Sequence, residues 1–203
     1  MADLDRRTPS RQLTTGGEYR AYFGAPGQII YQSNEQPRRL MRMKEDGSER
    51  QQISPDPIQH LQGVSPDGQW AVVNAPGAAG TVTEVRAYSV RDGKPVLVCD
   101  VCVAGFGPSR AWAPLISWAP DGRFLYLPMR WLGFGRADKT AVIPVRGAPF
   151  NLAPHGSITE ADLQKTFGAH IINERDVYPG PDPNTYVFTR YTALTNIYRI
   201  TLP

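Results

Sequence analysis

Two stretches of the chain decide its fold: residues 64–73 read VSPDGQWAVV and residues 118–127 read WAPDGRFLYL. In each, a Pro-Asp-Gly turn leads directly into a run of apolar, β-prone residues, which predicts a tight turn followed by a strand. The same plan recurs in residues 178–188 (YPGPDPNTYVF), where Pro183 stands in place of glycine, and more weakly in residues 25–31 (APGQIIY), which lack the aspartate. A turn and strand that return four times along the chain predict a repeat protein.

A second strand and a second turn follow each copy. The pairs are residues 39–43 before Asp46-Gly47, residues 85–90 before Asp92-Gly93, and residues 140–145 before Arg146-Gly147. Short apolar runs come next at 51–53, 96–98 and 150–152, and others precede the Pro-Asp turns, as at 115–118 and 171–172. Asp-Gly supplies the positive φ that tight hairpins need, so each repeat is predicted to contain four antiparallel strands, A to D.

Units of four short antiparallel strands that recur about every 40 to 60 residues are typical of a β-propeller. We therefore predict an all-β propeller of about four blades. The predicted organisation is an N-terminal segment at 1–16 and propeller repeats at 17–203, divided at about 17–54, 55–98, 99–152 and 153–203. A β-sandwich also has short alternating strands, but it has no reason to repeat two turn types in phase.

The N-terminal residues 11–14, RQLT, are similar to the strand D segment QQIS at 51–54. Two interpretations are open. The segment is a strand that completes the last blade and closes the ring, which removes two sheet edges. Alternatively, it ends an earlier blade that the chain lacks, in which case the four repeats are part of a larger ring of about six blades.

The turns SPDG (65–68) and APDG (119–122), together with DGS (46–48), resemble the TolB-type, WD-like propeller repeat. This resemblance covers about residues 10–203. The C-terminal segments at 178–183 and 196–203 are also similar, more loosely, to propellers that follow a bacterial serine/threonine kinase domain and a membrane span. That resemblance implies a sensor or protein-interaction module whose catalytic part lies elsewhere. The chain itself has no kinase motif.

Charge and hydropathy narrow the function classes. The 22 Lys and Arg and 19 Asp and Glu give a net charge of +3 that is spread along the chain, so no nucleic-acid footprint is expected. No apolar run is long enough for a membrane span, and the first residues lack the apolar centre of a signal peptide. The chain alone therefore suggests the cytoplasm, whereas the kinase-linked resemblance implies a location outside the membrane, and the localisation stays open.

Catalytic and metal chemistry finds little support in the residues. The segments around Ser65 and Ser109 begin like a nucleophile elbow but lack its closing glycine. We therefore expect no enzyme activity and no catalytic residue. Cys99 and Cys102 form a lone Cys-x-x-Cys, compatible with structural thiols or a disulfide, with half a metal site, or with a redox dithiol. The three histidines, His60, His155 and His170, are expected in loops or at strand edges, and no cofactor or metal is predicted.

A short helix is predicted at about 158–167, between the third repeat and the last. Ser157 and Glu160 match a capping box, and Leu163 and Phe167 fall four residues apart on one helical face. We expect this face to pack on the propeller. The alternative is a helix that binds a partner.

The candidate binding face lies at the end of the blades where the longer connections 99–114, 128–138 and 153–170 gather. Its aromatic and arginine residues are of the kind found at interaction hot spots: Phe106, Arg110, Trp112, Arg130, Trp131, Phe134 and Arg136. The alternative is that these side chains only cover the core. The predicted function is a non-catalytic binding or sensor module for a protein or small-ligand partner. The second hypothesis is a regulatory propeller segment of a larger kinase or peptidase polypeptide.

Overall fold

The fold is given by a computed structural model of the chain. It describes residues 11–16, 19–77, 83–99, 116–129, 139–145, 160–174, 177–182 and 184–188.

The described strands form four antiparallel sheets, each built from consecutive segments of the chain. Sheet 1 contains β1 (Tyr19–Phe23), β2 (Gln28–Gln32), β3 (Leu40–Lys44) and β4 (Gln51–Gln52). Sheet 2 contains β5 (His60–Val64), β6 (Trp70–Pro76), β7 (Thr83–Ser89) and β8 (Pro95–Cys99). Sheet 3 contains β9 (Ser117–Trp118), β10 (Phe124–Met129), β11 (Lys139–Pro144) and β12 (His170–Ile172), and sheet 4 pairs β13 (Val177–Pro179) with β14 (Tyr186–Phe188).

Glycines at the predicted turns have the backbone conformation that the sequence indicated. Gly68 and Gly122 of the Pro-Asp-Gly turns have φ of 71° and 72°, and Gly47 and Gly93 of the Asp-Gly turns have φ of 83° and 69°. This left-handed region is strained for residues with a Cβ atom, which explains why glycine recurs there. The turns at this end of the sheets, which we call the turn end, join strand A to B and, in sheets 1 and 2, strand C to D.

The core consists of three apolar layers between successive sheets. Along β6, Ala71 and Val73 face sheet 1 and pack with Ile30 and Leu40, whereas Val72 faces sheet 3. The alternation continues in β10, where Leu125 and Leu127 pack toward sheet 2 and Tyr126 packs toward sheet 4 with Val142, Ile172 and Val177. Each internal sheet is therefore covered on both faces, which is the packing of propeller blades.

The first strands of successive sheets, β1, β5, β9 and β13, also lie against one another in order. A meander of four strands whose first strands meet on one side is the blade arrangement of a β-propeller, and the predicted fold class is confirmed. The described sheets do not close into a ring. Apolar side chains are exposed at both ends of the series: Phe23 of sheet 1, and Tyr178 and Val187 of sheet 4.

Residues 11–14 form no strand among the described sheets, and most of the last repeat that they were predicted to complete lies outside the described residues, so both interpretations of this segment stay predictions. These residues lie on the outer face of sheet 1. Leu13 packs there with Ile29, Tyr31 and Met43, and its carbonyl accepts a hydrogen bond of 2.6 Å from Arg50 Nη2. Leu13 covers part of an apolar face that no neighbouring described sheet covers. Met43 is buried in this cluster.

The last strand of sheet 3 differs from the sequence prediction. Ile171 and Ile172 were expected to be strand A of the last repeat, but they lie in β12 and pair with Ala141 and Thr140 of β11, which makes them strand D of sheet 3. Helix α1 (Glu160–Phe167) therefore lies in the C-to-D connection of sheet 3 and not between two blades. A short apolar run fits strand A and strand D equally well, so the pattern alone did not distinguish the two positions.

The packing of the helix is as predicted. Leu163 is buried in the layer between sheets 2 and 3, with Phe167 beside it, and Lys139 Nζ lies 2.6 Å from Glu160 Oε1. The predicted cap Ser157 lies outside the described residues. No helix in the described ranges is both long enough and apolar enough to cross a membrane.

Candidate ligand-binding site

The residues of the predicted binding face, Phe106, Arg110, Trp112, Arg130, Trp131, Phe134 and Arg136, all lie outside the described residues, as do Cys102 and His155. Cys99 ends β8, and its side chain is likewise outside the description. The hypotheses on these residues stay predictions. These residues were assigned to the end of the sheets opposite the turn end, which we call the loop end. In sheets 1 and 2 the structure describes residues at this end.

Ser65 has a structural role in the first Pro-Asp-Gly turn. Its hydroxyl donates to Asp67 Oδ1 at 2.5 Å and accepts a hydrogen bond of 2.9 Å from the Trp70 N–H. The side chain is buried, and both of its bonds hold the turn together. Ser65 is therefore a turn residue, as expected, and not an exposed nucleophile.

At the loop end, side chains of sheet 1 bind the backbone of β5. Gln32 Oε1 accepts a hydrogen bond of 2.9 Å from the Leu61 N–H, and Arg20 Nη1 donates to the Leu61 carbonyl at 3.1 Å. Tyr22 Oη donates to the carbonyl of Gln62 at 2.8 Å. Strand β5 is the edge strand of sheet 2, so these backbone groups have no strand partner on that side. The side chains satisfy them and fix sheet 1 against sheet 2.

Arg20 reaches β5 through an unusual backbone conformation. Its φ is 60°, and the pairing of β1 with β2 is irregular at this point, between Tyr19 and Ala21. A residue with a Cβ atom in this region of φ costs about 1–2 kcal/mol, and such strain concentrates at functional sites. The irregularity interrupts the regular alternation of β1 where the arginine binds Leu61.

Several buried polar atoms around the start of β5 have no partner among the described residues. They are Gln32 Nε2, Arg38 Nε, His60 Nδ1, and both Nδ2 and Oδ1 of Asn74. His60 and Asn74 are opposite each other in the pairing of β5 with β6. We call Arg20, Gln32, Arg38, His60 and Asn74 the β5 cluster. Buried polar groups are normally hydrogen-bonded, so a group of this kind indicates bound water or a ligand.

The electrostatics of the β5 cluster are positive around His60. Arg38 Nη1 donates to the Gln59 carbonyl at 3.2 Å, so Arg38 and Arg20 bind the two carbonyl groups that flank His60 in the chain. Burial lowers the pKa of His60, and the charges of Arg20 and Arg38 lower it further. The neutral imidazole is therefore favoured in the folded protein.

Glu84 of β7 and Asp56, which lies between β4 and β5, bind other side chains. Glu84 Oε2 lies 2.7 Å from Arg86 Nη2, and Asp56 Oδ2 accepts a hydrogen bond of 3.0 Å from Tyr88 Oη. Arg86 also lies 4.0 Å from Asp56. These two carboxylates are therefore paired with Arg86 and Tyr88, whereas the charges that act on His60 are both positive.

The described histidines match the sequence expectation, since His60 begins β5 and His170 begins β12. Among the described residues, no group of three or more histidine, cysteine or acidic side chains is arranged to hold a metal ion.

Comparisons with known proteins give structural neighbours only. No protein-family profile and no curated protein sequence matches the chain. A structure of oligogalacturonate lyase in complex with manganese is 18% identical, with a TM-score of 0.42, over 61% of this chain and 35% of its own. TolB from Acinetobacter baumannii is 14% identical, with a TM-score of 0.47, over 70% of this chain and 34% of its own. The tricorn protease is 14% identical, with a TM-score of 0.41, over 85% of this chain and 22% of its own.

The chain thus matches about a third or less of the length of each of these structures. The assignment to the β-propeller class rests on the sheet order and the layers between the sheets. Within that class, the β5 cluster is the polar site that the described residues define at the loop end.

Sequence reasoning did not find the β5 cluster. Its members are scattered from Arg20 to Asn74, and none lies in a recognisable motif. One signal was available in the sequence. Gln32 ends an apolar run in β2, and Asn74 interrupts an apolar run in β6. Polar residues at such positions are expected to be paired or functional.

Proposed function

We propose that the chain is a non-catalytic binding or sensor module that takes its ligand at the loop end, with the β5 cluster as part of the binding site. Propellers place variable connections at the ends of rigid blades, where binding residues are held in a fixed geometry. The proposal locates binding at the end of the sheets that the sequence indicated, but assigns it to different residues.

One observation carries the proposal: the side chain of Asn74 is 1% exposed, and neither of its amide atoms has a partner among the described residues. A buried amide without partners costs about 1–3 kcal/mol of stability. Binding residues often carry such a cost, because the ligand supplies the missing bonds.

The test is the stability of Asn74→Leu, which replaces the amide by an apolar group of similar size. We expect an increase of about 1 kcal/mol in the free energy of unfolding, because the unpaired amide is removed. The matched control is Gln32→Leu, which leaves the Leu61 N–H without its partner and is expected to destabilise the protein by about 1–3 kcal/mol. Urea denaturation measures both. Destabilisation by Asn74→Leu would show that the amide has a structural role and would overturn the proposal.

A second candidate function is a regulatory propeller segment of a larger kinase or peptidase polypeptide. The exposed apolar side chains at both ends of the sheet series favour it, since Phe23 is 67% exposed and Val187 is 66% exposed. Further blades would cover such faces. Intact-mass spectrometry of the product isolated from its source cells tests this candidate: a species near 22.5 kDa opposes it, and a much larger species supports it.

A further inference from the structure

We propose that two copies of the chain assemble head to tail, with the outer face of sheet 1 of each copy packed on the outer face of sheet 4 of the other. Residues 11–14 of one copy then form strand D of sheet 4 of the other copy. This interaction surface is separate from the β5 cluster, so the two proposals can fail independently.

The segment at 11–14 has the same internal hydrogen bond as the strand D segment at 51–54. Gln12 Nε2 donates to the carbonyl group two residues further on, at 2.6 Å, and Gln52 Nε2 makes the equivalent bond at 2.7 Å. The similarity between the sequences RQLT and QQIS is therefore also a similarity of local structure.

The two segments also contact equivalent turns. A Cβ atom placed on Gly47, in the C-to-D turn of sheet 1, would lie 3.2 Å from the carbonyl oxygen of Leu13. A Cβ atom on Gly93, in the C-to-D turn of sheet 2, would collide with the carbonyl oxygen of Ile53. Leu13 packs on the outer face of sheet 1, and Ile53 packs in the layer between sheets 1 and 2. Residues 11–14 therefore take, beside sheet 1, the position that strand D of sheet 1 takes beside sheet 2.

The other strands of the blade to which residues 11–14 would belong are not beside them. In sheet 1, the Ile53 N–H donates to the carbonyl of Leu40 in strand C at 2.9 Å, whereas residues 11–14 pair with none of the described strands. Residues 1–10 read MADLDRRTPS, which has no apolar alternation that predicts a strand C. A groove of about 400 Å³ lies beside Leu13. Strands A to C of this blade must therefore come from elsewhere.

Sheet 4 presents the kind of face that is needed. Val177 and Tyr186 pack toward sheet 3, whereas Tyr178 and Val187 are opposite each other in the pairing of β13 with β14 and are 55% and 66% exposed. In the layers between the described sheets, the face directed away from the preceding sheet covers the next sheet. Tyr178 and Val187 lie on that face of sheet 4, and the outer face of sheet 1, with Phe23, is the face that a preceding sheet would cover.

Ring closure decides the number of copies. Phe23 on sheet 1 and Tyr178 on sheet 4 are both exposed, so sheet 4 of one copy does not cover its own sheet 1. Contacts between unlike faces of identical chains continue from copy to copy until a ring closes. Two copies of four sheets give eight, which is within the roughly four to eight blades of propellers, whereas three copies would exceed that range. The occupant of the outer face of sheet 1 is therefore one second copy of the chain.

The experiment is size-exclusion chromatography with light scattering on the intact chain, over a series of protein concentrations. The expected species has twice the chain mass of 22.5 kDa. A monomer at every concentration would overturn the inference and would leave blades of a longer polypeptide as the occupant of this face. A mass of three or more copies would overturn the ring of two.

Two variants test the head-to-tail geometry. Phe23→Glu and Val187→Glu each place a charge on one of the two faces, and each is expected to weaken self-association about a hundredfold or more, because an unpaired charge would be buried. A dimer that persists in either variant would show that like faces meet, which would overturn the inference. The matched control is Lys94→Glu, whose side chain is 81% exposed in the C-to-D turn of sheet 2 and which is expected to leave the mass unchanged.

Amide hydrogen exchange tests the role of residues 11–14. In the wild-type dimer the Leu13 N–H is expected to bond to strand C of the other copy and to exchange at least about tenfold more slowly than in the Phe23→Glu monomer. Equal exchange in the two proteins would overturn the assignment of residues 11–14 to strand D. Thermal unfolding checks that the variants are folded, and the mass of the wild type needs no variant. The stability of Asn74→Leu tests the ligand site alone, so its failure would leave this assembly standing.

Discussion

The turn end and the loop end of the sheets use their polar residues in opposite ways. At the turn end, each aspartate binds the chain within a few residues: Asp121 Oδ1 accepts from the Arg123 N–H at 2.9 Å, and Asp182 Oδ2 accepts from the Thr185 hydroxyl at 2.7 Å. At the loop end, the polar groups of the β5 cluster come from distant segments, and several lack partners among the described residues. The turn aspartates are satisfied by local bonds, whereas the β5 cluster retains unused hydrogen-bonding groups.

Because the polar groups of each turn are hydrogen-bonded within the turn, the turns can repeat along the chain. A turn whose polar atoms are paired within five residues needs no other segment to satisfy those atoms, so the same turn sequence can recur in successive sheets. The β5 cluster has no such repeat. The bonds of Arg20, Gln32 and Arg38 to β5 depend on the relative placement of sheets 1 and 2, and under the proposed function a ligand supplies the bonds that the cluster lacks.

The largest loss of stability is expected at a glycine that has a positive φ and also packs against the neighbouring sheet. Gly68 and Gly27 both have positive φ, but a Cβ atom on Gly68 would collide with the backbone of Gly24 and Ala25, whereas a Cβ atom on Gly27 would meet nothing within 4 Å. We expect Gly68→Ala to lower the free energy of unfolding by about 3–4 kcal/mol and Gly27→Ala by about 1 kcal/mol.

Chemical denaturation of the two glycine variants measures the difference. Equal losses would mean that backbone strain alone accounts for the glycines. The contact between the Pro-Asp-Gly turn of sheet 2 and the first turn of sheet 1 would then contribute nothing.

Loss of the Ser65 hydroxyl is expected to have a smaller effect. Ser65→Ala removes a bond to Asp67 and leaves the Trp70 N–H without its partner, which should cost about 1–2 kcal/mol. The control is Ser48→Ala at an exposed turn, where the hydroxyl donates to Asp46 Oδ1. A Ser65 variant as stable as the Ser48 variant would contradict the structural role of the buried turn.

These turn residues also show how far the sequence predicts the structure. The Pro-Asp-Gly and Asp-Gly turns define their own conformation, so the strands beside them and the repeat order were predictable. Ile171 and Ile172 were misplaced because a short apolar run has no local feature that distinguishes strand D from strand A. The β5 cluster was missed because Arg20, Gln32 and Arg38 reach the backbone of β5, which is distant in sequence, only when the sheets pack.

The smallest expected effect is the pH dependence from His60. Its pKa is lowered in the folded state, mainly by burial, so the unfolded chain binds more protons as the pH falls through the unfolded value of about 6.5. Stability from this group is therefore complete above that pH, decreases as the pH falls below it, and levels off once the folded protein is also protonated.

Thermal unfolding of the wild type and of His60→Gln across this pH range checks the sign. As the pH falls, the melting temperature of the wild type should decrease relative to that of His60→Gln. A wild type that gains stability relative to His60→Gln on acidification would show that the imidazole has an acidic partner, and would contradict the positive environment described for the β5 cluster.

The most direct test of the contrast between the two ends is a single measurement on two variants: the free energy of unfolding of Asn74→Leu and of Ser65→Ala, under the same conditions and relative to the wild type. We expect opposite signs, with Asn74→Leu more stable than the wild type and Ser65→Ala less stable. Destabilisation of both proteins would mean that the loop end, like the turn end, is built for stability, and would contradict a binding role for the β5 cluster.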